Sequence, residues 1–368
     1  MHRQKISKIV ITGGPCAGKT TTLAYLTRRL SDFGFKVILV NEMATDLINA
    51  GIGPKELGPD FQHLVLKGSI EREDLLYNGA LAMPEQRVVM LCDRGLMDGR
   101  AYIAGAEFVK ILRRFKLTEV TARDERYEGV VHLVTAADGA KKFYTLANNT
   151  ARSETPDQAR RLDTATMNAW NGHPHLRIID NSTDFEKKKQ RTLEAVCHIL
   201  GVPQPIEIEN KYLVRVPDLG SLPVHCQAID IHQIYLRNGG RIRERGQNGS
   251  FTYFWTMKKK IGPKSRIEVE RIITAQQFSA LFREQRSEDH VPVRKNRICF
   301  VWKNQYFELD IFQRPHRPNI IPSGEKKLSL LEIELTEEQD RVSLPPFIDI
   351  VEDVTMDKRY RNSAIARI

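Results

Sequence analysis

Residues 8–30 read KIVITGGPCAGKTTTLAYLTRRL: a short β-branched apolar run, a glycine-rich bend, then apolar residues at helical spacing. Gly13-Gly14-Pro15-Cys16-Ala17-Gly18-Lys19-Thr20 satisfies GxxxxGK[ST], and a strand before it with a helix after it is the setting in which that spacing carries chemistry. Such a bend aims backbone N–H groups at phosphate oxygens, and the helix behind it adds the positive end of its dipole. Lys19 would then reach the β- and γ-phosphates and act in catalysis. Thr20 would place a hydroxyl on Mg²⁺, with Thr21 following in the same nucleotide-binding run.

Outward from this segment the pattern repeats. KVILV, RVVMLCD, GVVHLVT and LRIID are strand-like runs separated by amphipathic stretches up to about residue 200, which predicts a parallel sheet flanked by helices. RVVMLCD ends at Asp93, at the carboxyl edge of the sheet, where a Mg²⁺-binding acid is needed. Glu42, after KVILV, falls at the same edge and reads equally well as a general base, a second metal contact through water, or a helix cap. Arg152, Arg160 and Arg161 lie on a helical segment able to bring guanidinium groups to a transferring phosphoryl group, although surface arginines have the same pattern.

Gly201-Val202-Pro203-Gln204-Pro205 interrupts this alternation, placing a domain boundary between residues 1–200 and 201–368. Beyond it, period-two alternation recurs in IEIENKYLVRV, GRIRER, FTYFWTMK, SRIEVERI, RICFVW, YFELDIF and LLEIEL, a mainly antiparallel β domain. Its polar positions are charged: Glu207, Glu209 and Lys211 share one strand face, as do Arg241, Arg243 and Arg245, then Arg266, Glu268 and Glu270, then Glu308 and Asp310, then Glu332 and Glu334. A closed barrel would pack the apolar faces outward and leave a charged tunnel inside. Metal on the carboxylates and polyphosphate on the arginines and lysines would offset the cost of desolvating it.

The 368-residue chain is 41% hydrophobic and 28% charged, a soluble globular composition. Its net charge of +10 is split evenly between the halves, with no basic tail, which argues against a dedicated nucleic-acid binder and leaves phosphates as the expected ligands. Five scattered cysteines without CxxC spacing give neither a disulfide framework nor a zinc site. With no apolar run near the ~18–20 residues of a membrane span, and a start that runs straight into a strand, a cytoplasmic protein is expected.

GGPCAGKTT, NEMATDL, LCDRGLMDG, HLVTAADGA, ARSE and GHPHLRIIDNSTDFEKK resemble a NadR-type P-loop AAA domain related in layout to nucleoside and nucleotide kinases. That resemblance implies Mg²⁺ held indirectly by Asp93, and base recognition near Asn181, Ser182 and Asp184. EIENK, RIRER, TMK, RIEVE, RKNR, ELDIF, LLEIEL and VTMDKRYRN resemble the CYTH, or triphosphate tunnel metalloenzyme, family. It implies metal binding by Glu207, Glu209, Glu332 and Glu334 and phosphate binding by Lys211, Arg241, Arg243, Lys258 and Arg297, with Lys259 and Lys260 competing for the inward place of Lys258.

The order of the two halves is similar to the TRPL translocation defect protein family. For that family the resemblance implies GTP binding and recognition of phosphoinositide or phosphatidic acid headgroups in membrane-protein trafficking, peripherally on internal membranes. Residue chemistry favours a Mg²⁺- or Mn²⁺-dependent triphosphatase, with Lys211 or a carboxylate activating water. A third reading couples a nucleoside-type kinase, using ATP or GTP with Lys19, Asp93 and Glu42, to hydrolysis of inorganic polyphosphate.

Overall fold

The structure, a computed structural model, describes residues 4–140, 155–202, 206–260, 265–313, 318–335 and 341–368; Arg152 and the side chains of Glu207 and Arg266 lie outside what is described. The chain divides into two compact units, Met1–Leu200 and Gly201–Ile368.

The first unit runs β1 (Lys5–Gly13), α1 (Lys19–Asp32), β2 (Lys36–Val40), α2 (Met43–Asn49), α3 (Pro54–Leu57), α4 (Asp60–Leu81), β3 (Arg87–Asp93), α5 (Gly105–Arg114), β4 (Gly129–Leu133), α6 (Pro156–Ala169), β5 (Leu176–Ile179) and α7 (Phe185–Leu200). Its five strands are parallel in the order β2-β3-β1-β4-β5. Parallel neighbours need crossovers, and helical crossovers cover both faces, so the central strands are apolar almost throughout. Ile9, Val10 and Ile11 of β1 and Val88 through Cys92 of β3 are all buried. The carboxyl ends of β1, β3 and β4 therefore come together, and the chain leaves the sheet there in loops that carry the polar chemistry.

The second unit runs β6 (Ile206–Val214), β7 (Cys226–Tyr235), β8 (Arg241–Gln247), β9 (Ser250–Lys260), β10 (Ser265–Ile273), α8 (Ala275–Gln285), β11 (Val293–Trp302), β12 (Gln305–Phe312), β13 (Ser329–Leu335), β14 (Ile350–Asp353) and α9 (Asn362–Ala366). The strands form one large antiparallel sheet ordered β10-β9-β8-β7-β11-β12-β13-β6-β14. Where the sequence pattern predicts a closed barrel, the pairing of β10 with β6 is confined, among the described residues, to Ser265–Ile267 against Ile206–Ile208. The sheet is thus curled until two of its strands touch at their ends, not hydrogen-bonded into a cylinder over its whole height.

One face of this sheet is apolar. Tyr212, Ile298, Phe300, Phe307, Leu309, Leu331 and Ile333 pack there beneath Leu222, Val224, Phe347 and Ile348 of the connecting segments. Ile234, Ile242 and Ile273 pack with Phe278 and Phe282 of α8. Because side chains alternate along a strand, the residues between them face the opposite way, and these are the charged ones.

Candidate functional site

In the first unit β1 ends at Gly13, the bend follows, and α1 begins at Lys19. Gly13 has φ +146 and Gly18 φ +85, and a Cβ on Gly18 would sit 2.5 Å from the Phe185 ring, so neither position accepts a side chain. Lys19 is 7% exposed and its ammonium reaches back to the Gly13 carbonyl at 3.5 Å. Thr20, one residue on, is exposed at the start of the helix. Gly14 donates its N–H to Asp163 Oδ1 at 2.6 Å, an acid of α6 that also accepts from Thr135 N–H at 3.3 Å and faces His132 Nε2 at 3.1 Å. Asp163 was not apparent as a loop partner from the sequence; its only signal was an acid within a helical stretch otherwise rich in arginine and threonine.

Asp93 stands at the end of β3, level with Ile11 of β1. Its Oδ1 is buried and has no hydrogen-bond partner among the described residues. Burial holds this carboxyl above its ordinary pKa and Glu42 and Asp98 add to the effect, against the pull of Lys19 and Arg94. Glu42 makes no side-chain cap on α2. Instead it accepts from Arg94 Nε at 2.5 Å and from Thr45 Oγ1 at 2.8 Å. Burial alone would raise its pKa, but the charges of Arg94 and Lys19 and these two hydrogen bonds outweigh it and bring the group down to about 2. A carboxylate so stabilised is a weaker base, and its bond to Arg94 holds that guanidinium in place. Arg94 itself was overlooked in the sequence; it adopts φ +71, a left-handed backbone unusual for a branched-out side chain, and that turn aims it back at Glu42.

The Glu42 shift predicts a pH dependence. An acid whose folded pKa lies below its unfolded 4.5 contributes stability above pH 4.5 that is lost as the pH falls towards about 2, here at most ~3 kcal/mol. In urea unfolding of the first unit, the advantage of the native protein over Glu42→Gln should therefore shrink between pH 5 and pH 3. A constant difference would contradict the assignment.

The remaining residues expected here are held by the protein itself. Asn181 donates its amide to the carbonyls of Thr135 (2.8 Å) and Asp138 (2.5 Å), and its Oδ1 accepts from Lys188 Nζ at 2.7 Å. Lys188, which burial lowers to about 8, also donates to Val134 O at 2.7 Å. Ser182 donates to Asp180, and Asp184 accepts from the Lys187 N–H at the start of α7. Arg160 donates to Ala137 O at 3.0 Å and pairs with Asp157, while Arg161 is exposed. Beside Lys19 a cleft of about 860 Å³ opens between the sheet edge and α2, α3 and α4, with Glu42, Asp93 and Arg94 in its wall.

In the second unit the inward-facing residues meet across the strands. Glu332 lies opposite Lys211 on one side and Glu308 on the other, and Glu334 lies opposite Glu209. Lys211 Nζ is 2.5 Å from Glu332 and 3.4 Å from Glu209. Arg297 holds Asp310 with two bonds of 2.7 Å, reaches Glu332 at 2.9 Å and also pairs with Glu308. Arg241 and Lys258 converge on Glu268 at 3.1 and 3.0 Å, and Arg243 pairs with Glu270 at 2.8 Å. That pairing places Lys258 on the inner face, and Lys259, the register partner of Ile267, lies on the other; Lys260 alternates onto the face of Lys258, and its side chain lies outside what is described.

Lys295, buried and paired with Asp310, belongs to the same cluster and was missed; it sits two residues before Arg297, hence on the same face. Arg245, 1% exposed, lines it as well. Burial would discharge Lys211, but Glu209 and Glu332 hold it above its ordinary pKa, which favours its cationic form over that of a base. Burial would likewise raise Glu332, yet Lys211, Lys295 and Arg297 keep it well below its ordinary value.

Hard carboxylate oxygens face one another at Glu209 with Glu334 and at Glu308 with Glu332, a donor set that fits a hard divalent cation. Asp93, with its buried unpartnered Oδ1, fits one in the first unit. Among the described residues no three His, Cys, Asp or Glu side chains already converge as a cation cage, because the acids are turned to the arginines and lysines. No helix among the described residues is long and apolar enough to cross a membrane.

Residues 8–188 match the family model described as an AAA domain. The chain is 34% identical over 167 residues to the inorganic triphosphatase of Nitrosomonas europaea, a match spanning 44% of this chain and 96% of that protein. Among solved structures it is similar to the inorganic triphosphatase NE1496, at 30% identity over 44% of this chain and 93% of that one. It is also similar to a structure described as the hypothetical protein NE1496, at 32% identity over 44% and 97%. The TM-score is 0.29 in each case.

Proposed function

The chain belongs to the family of the Nitrosomonas europaea inorganic triphosphatase, and on that premise we propose that its second unit hydrolyses a short inorganic polyphosphate such as tripolyphosphate, while its P-loop unit binds a nucleoside triphosphate. The observation that carries the reading is the cluster on the inner face of the curled sheet, where Arg241, Arg243, Arg297, Lys211 and Lys258 meet Glu209, Glu268, Glu270, Glu308, Glu332 and Asp310. Burying so many charges for stability alone is a poor bargain, since their mutual attraction barely offsets desolvation. An anionic chain gives the cations a second set of partners, and a divalent metal does the same for the acids.

In this reading Glu209, Glu332 and Glu334, with Glu207, would hold Mg²⁺ or Mn²⁺, which supplies charge neutralisation and an activated water. The arginines grip phosphate oxygens bidentately and fix the chain end. Lys211, kept cationic, opposes the charge that builds on the phosphate oxygens as the bond breaks. A carboxylate takes the proton of the attacking water. The touching of β10 and β6 supports an enclosed, tunnel-like site for this exchange.

Orthophosphate release from tripolyphosphate with Mg²⁺ or Mn²⁺ tests the proposal. Arg243→Gln should reduce turnover ~100–1000-fold, the usual effect of removing one preorganised donor, while Lys19→Ala leaves it intact and abolishes nucleotide binding. Equal turnover in native protein and Arg243→Gln sinks the triphosphatase reading. An acidic phospholipid headgroup offers the same cluster the same phosphate chemistry; retention on phosphoinositide liposomes, lost in Arg243→Gln without any tripolyphosphate turnover, would move the assignment from hydrolysis to lipid recognition and a place on membranes. GTP and ATP are separated by the same binding assay.

A further inference from the structure

Resting on the nucleotide-binding reading of the P-loop, we infer that Lys188 of α7, together with Thr135, is a positioning residue for the phosphate loop: the two hold loop carbonyls and so aim the loop amides at the phosphates of a bound nucleotide. Neither residue touches the nucleotide in this role, and the second unit plays no part in it.

In a trans peptide the C=O of one residue and the N–H of the next point in opposite directions, so a group that holds the carbonyl also aims the amide. Three consecutive carbonyls of the loop are held in this way. Pro15 O accepts from the Thr135 hydroxyl, Cys16 O from the Ala136 N–H at 3.2 Å, and Ala17 O from Lys188 Nζ at 3.4 Å. The N–H groups of Cys16, Ala17 and Gly18 are therefore turned the other way. Positive φ at Cys16 (+58) and Gly18 (+85), on either side of Ala17, curls this run into the kind of nest that receives an anion. Gly14 is the exception, for its own N–H is turned to Asp163.

Of these three donors Lys188 is the charged one. It is 3% exposed, and its ammonium has three acceptors: Val134 O and Asn181 Oδ1, each at 2.7 Å, besides Ala17 O. An ammonium has three protons for them, whereas the neutral amine has two. A cation on a carbonyl also polarises that peptide and strengthens the Gly18 N–H on its other side as a donor. The charged groups that face the ammonium are Asp163 from α6, Asp180 from the end of β5 and Arg191 from α7 itself, and residues 14–18 of the loop bring no charged side chain. Burial outweighs the two acids and brings Lys188 down to about 8. Loss of its third proton should give up the longest of the three bonds, the one to Ala17, and leave the Gly18 amide less firmly aimed.

Full-length protein is titrated with a fluorescent nucleoside triphosphate and Mg²⁺ between pH 7 and pH 9.5, as the native chain and as Lys188→Met, which keeps the apolar stem and loses every donor. At pH 7 the Kd of Lys188→Met should be roughly tenfold higher or more, the effect of losing a charged hydrogen bond. The native Kd should climb across the pH range and that of Lys188→Met should stay level, since Lys19 and the nucleotide are common to both. Should Lys188→Met fail to fold, Lys188→Gln takes its place with the same level profile expected. Thr135→Val, which removes the hydroxyl on Pro15, should weaken binding at pH 7 and keep the native pH dependence. An equal Kd at pH 7, or a variant weakened in parallel with the native profile at every pH, as lost packing alone would give, overturns this inference while the loop still binds nucleotide. A native chain that binds no nucleotide overturns the inference together with its premise.

Discussion

Arg297→Ala is expected to cost the second unit about 3–5 kcal/mol and to remove its tripolyphosphate turnover, the largest single-residue effect in that half of the chain. The guanidinium serves Asp310 through two bonds, Glu332 through a third, and Glu308 beside them. Asp310 is fully buried and Glu332 nearly so. Removing the arginine leaves Lys295 to hold Asp310 and Lys211 to hold Glu332, so each acid keeps one partner where it had two. Breaking a buried pair from one side is what makes the loss large; replacing both sides is not. Arg297→Met with Lys295→Met and Asp310→Leu, which removes both cations together with the acid they share, should accordingly recover part of the stability, measured by urea unfolding, and none of the turnover. An Arg297→Ala protein as stable as the native one would mean that water already reaches this cluster and that the face is open.

Gly13→Ala should destabilise the first unit by roughly 3 kcal/mol or more and abolish nucleotide binding, while tripolyphosphate turnover continues. At φ +146 the backbone is in a region that a side chain avoids, and the added Cβ would stand 2.1 Å from the Leu133 carbonyl oxygen. The obstacle is backbone of the neighbouring strand β4, held in register with β1, so no rotamer change relieves it. Nucleotide titration and urea unfolding of the variant check both parts. An unperturbed Kd would show that the loop reshapes at little cost, contrary to a cradle fixed from two sides by β4 and by Asp163.

The phosphate loop was legible because its signature is local: strand, bend and helix are consecutive in Lys8–Leu30, and the bend carries glycines at Gly13, Gly14 and Gly18. The alternating charges of β8, β10, β12 and β13 were legible for the same reason, since alternation assigns a face without any knowledge of the partner strand. Partnership was harder. β7 (Cys226–Tyr235) has fewer charges on its inner face, with Ile229, Ile231 and Gln233, and did not stand out as a strand. Asp163 lies outside every motif quoted, and Arg94 and Lys188 lie inside quoted stretches without a role assigned to them; each is placed by contacts 28 to 171 residues away in the chain or by an unusual backbone angle.

By itself, then, the sequence determined the two kinds of sheet, the position of the phosphate cradle, and which side chains of the second half share a face, because these follow from periodicities of two and about 3.6 residues and from glycine's backbone freedom. Tertiary structure alone decided that Glu42 pairs with Arg94, that Lys211 lies between Glu209 and Glu332, that Lys258 turns onto Glu268, and that a cleft of about 860 Å³ lies beside Lys19. Charge state and cavity shape depend on the distances between groups far apart in the chain and on how much water is excluded around them, and neither quantity is carried by any local run of residues.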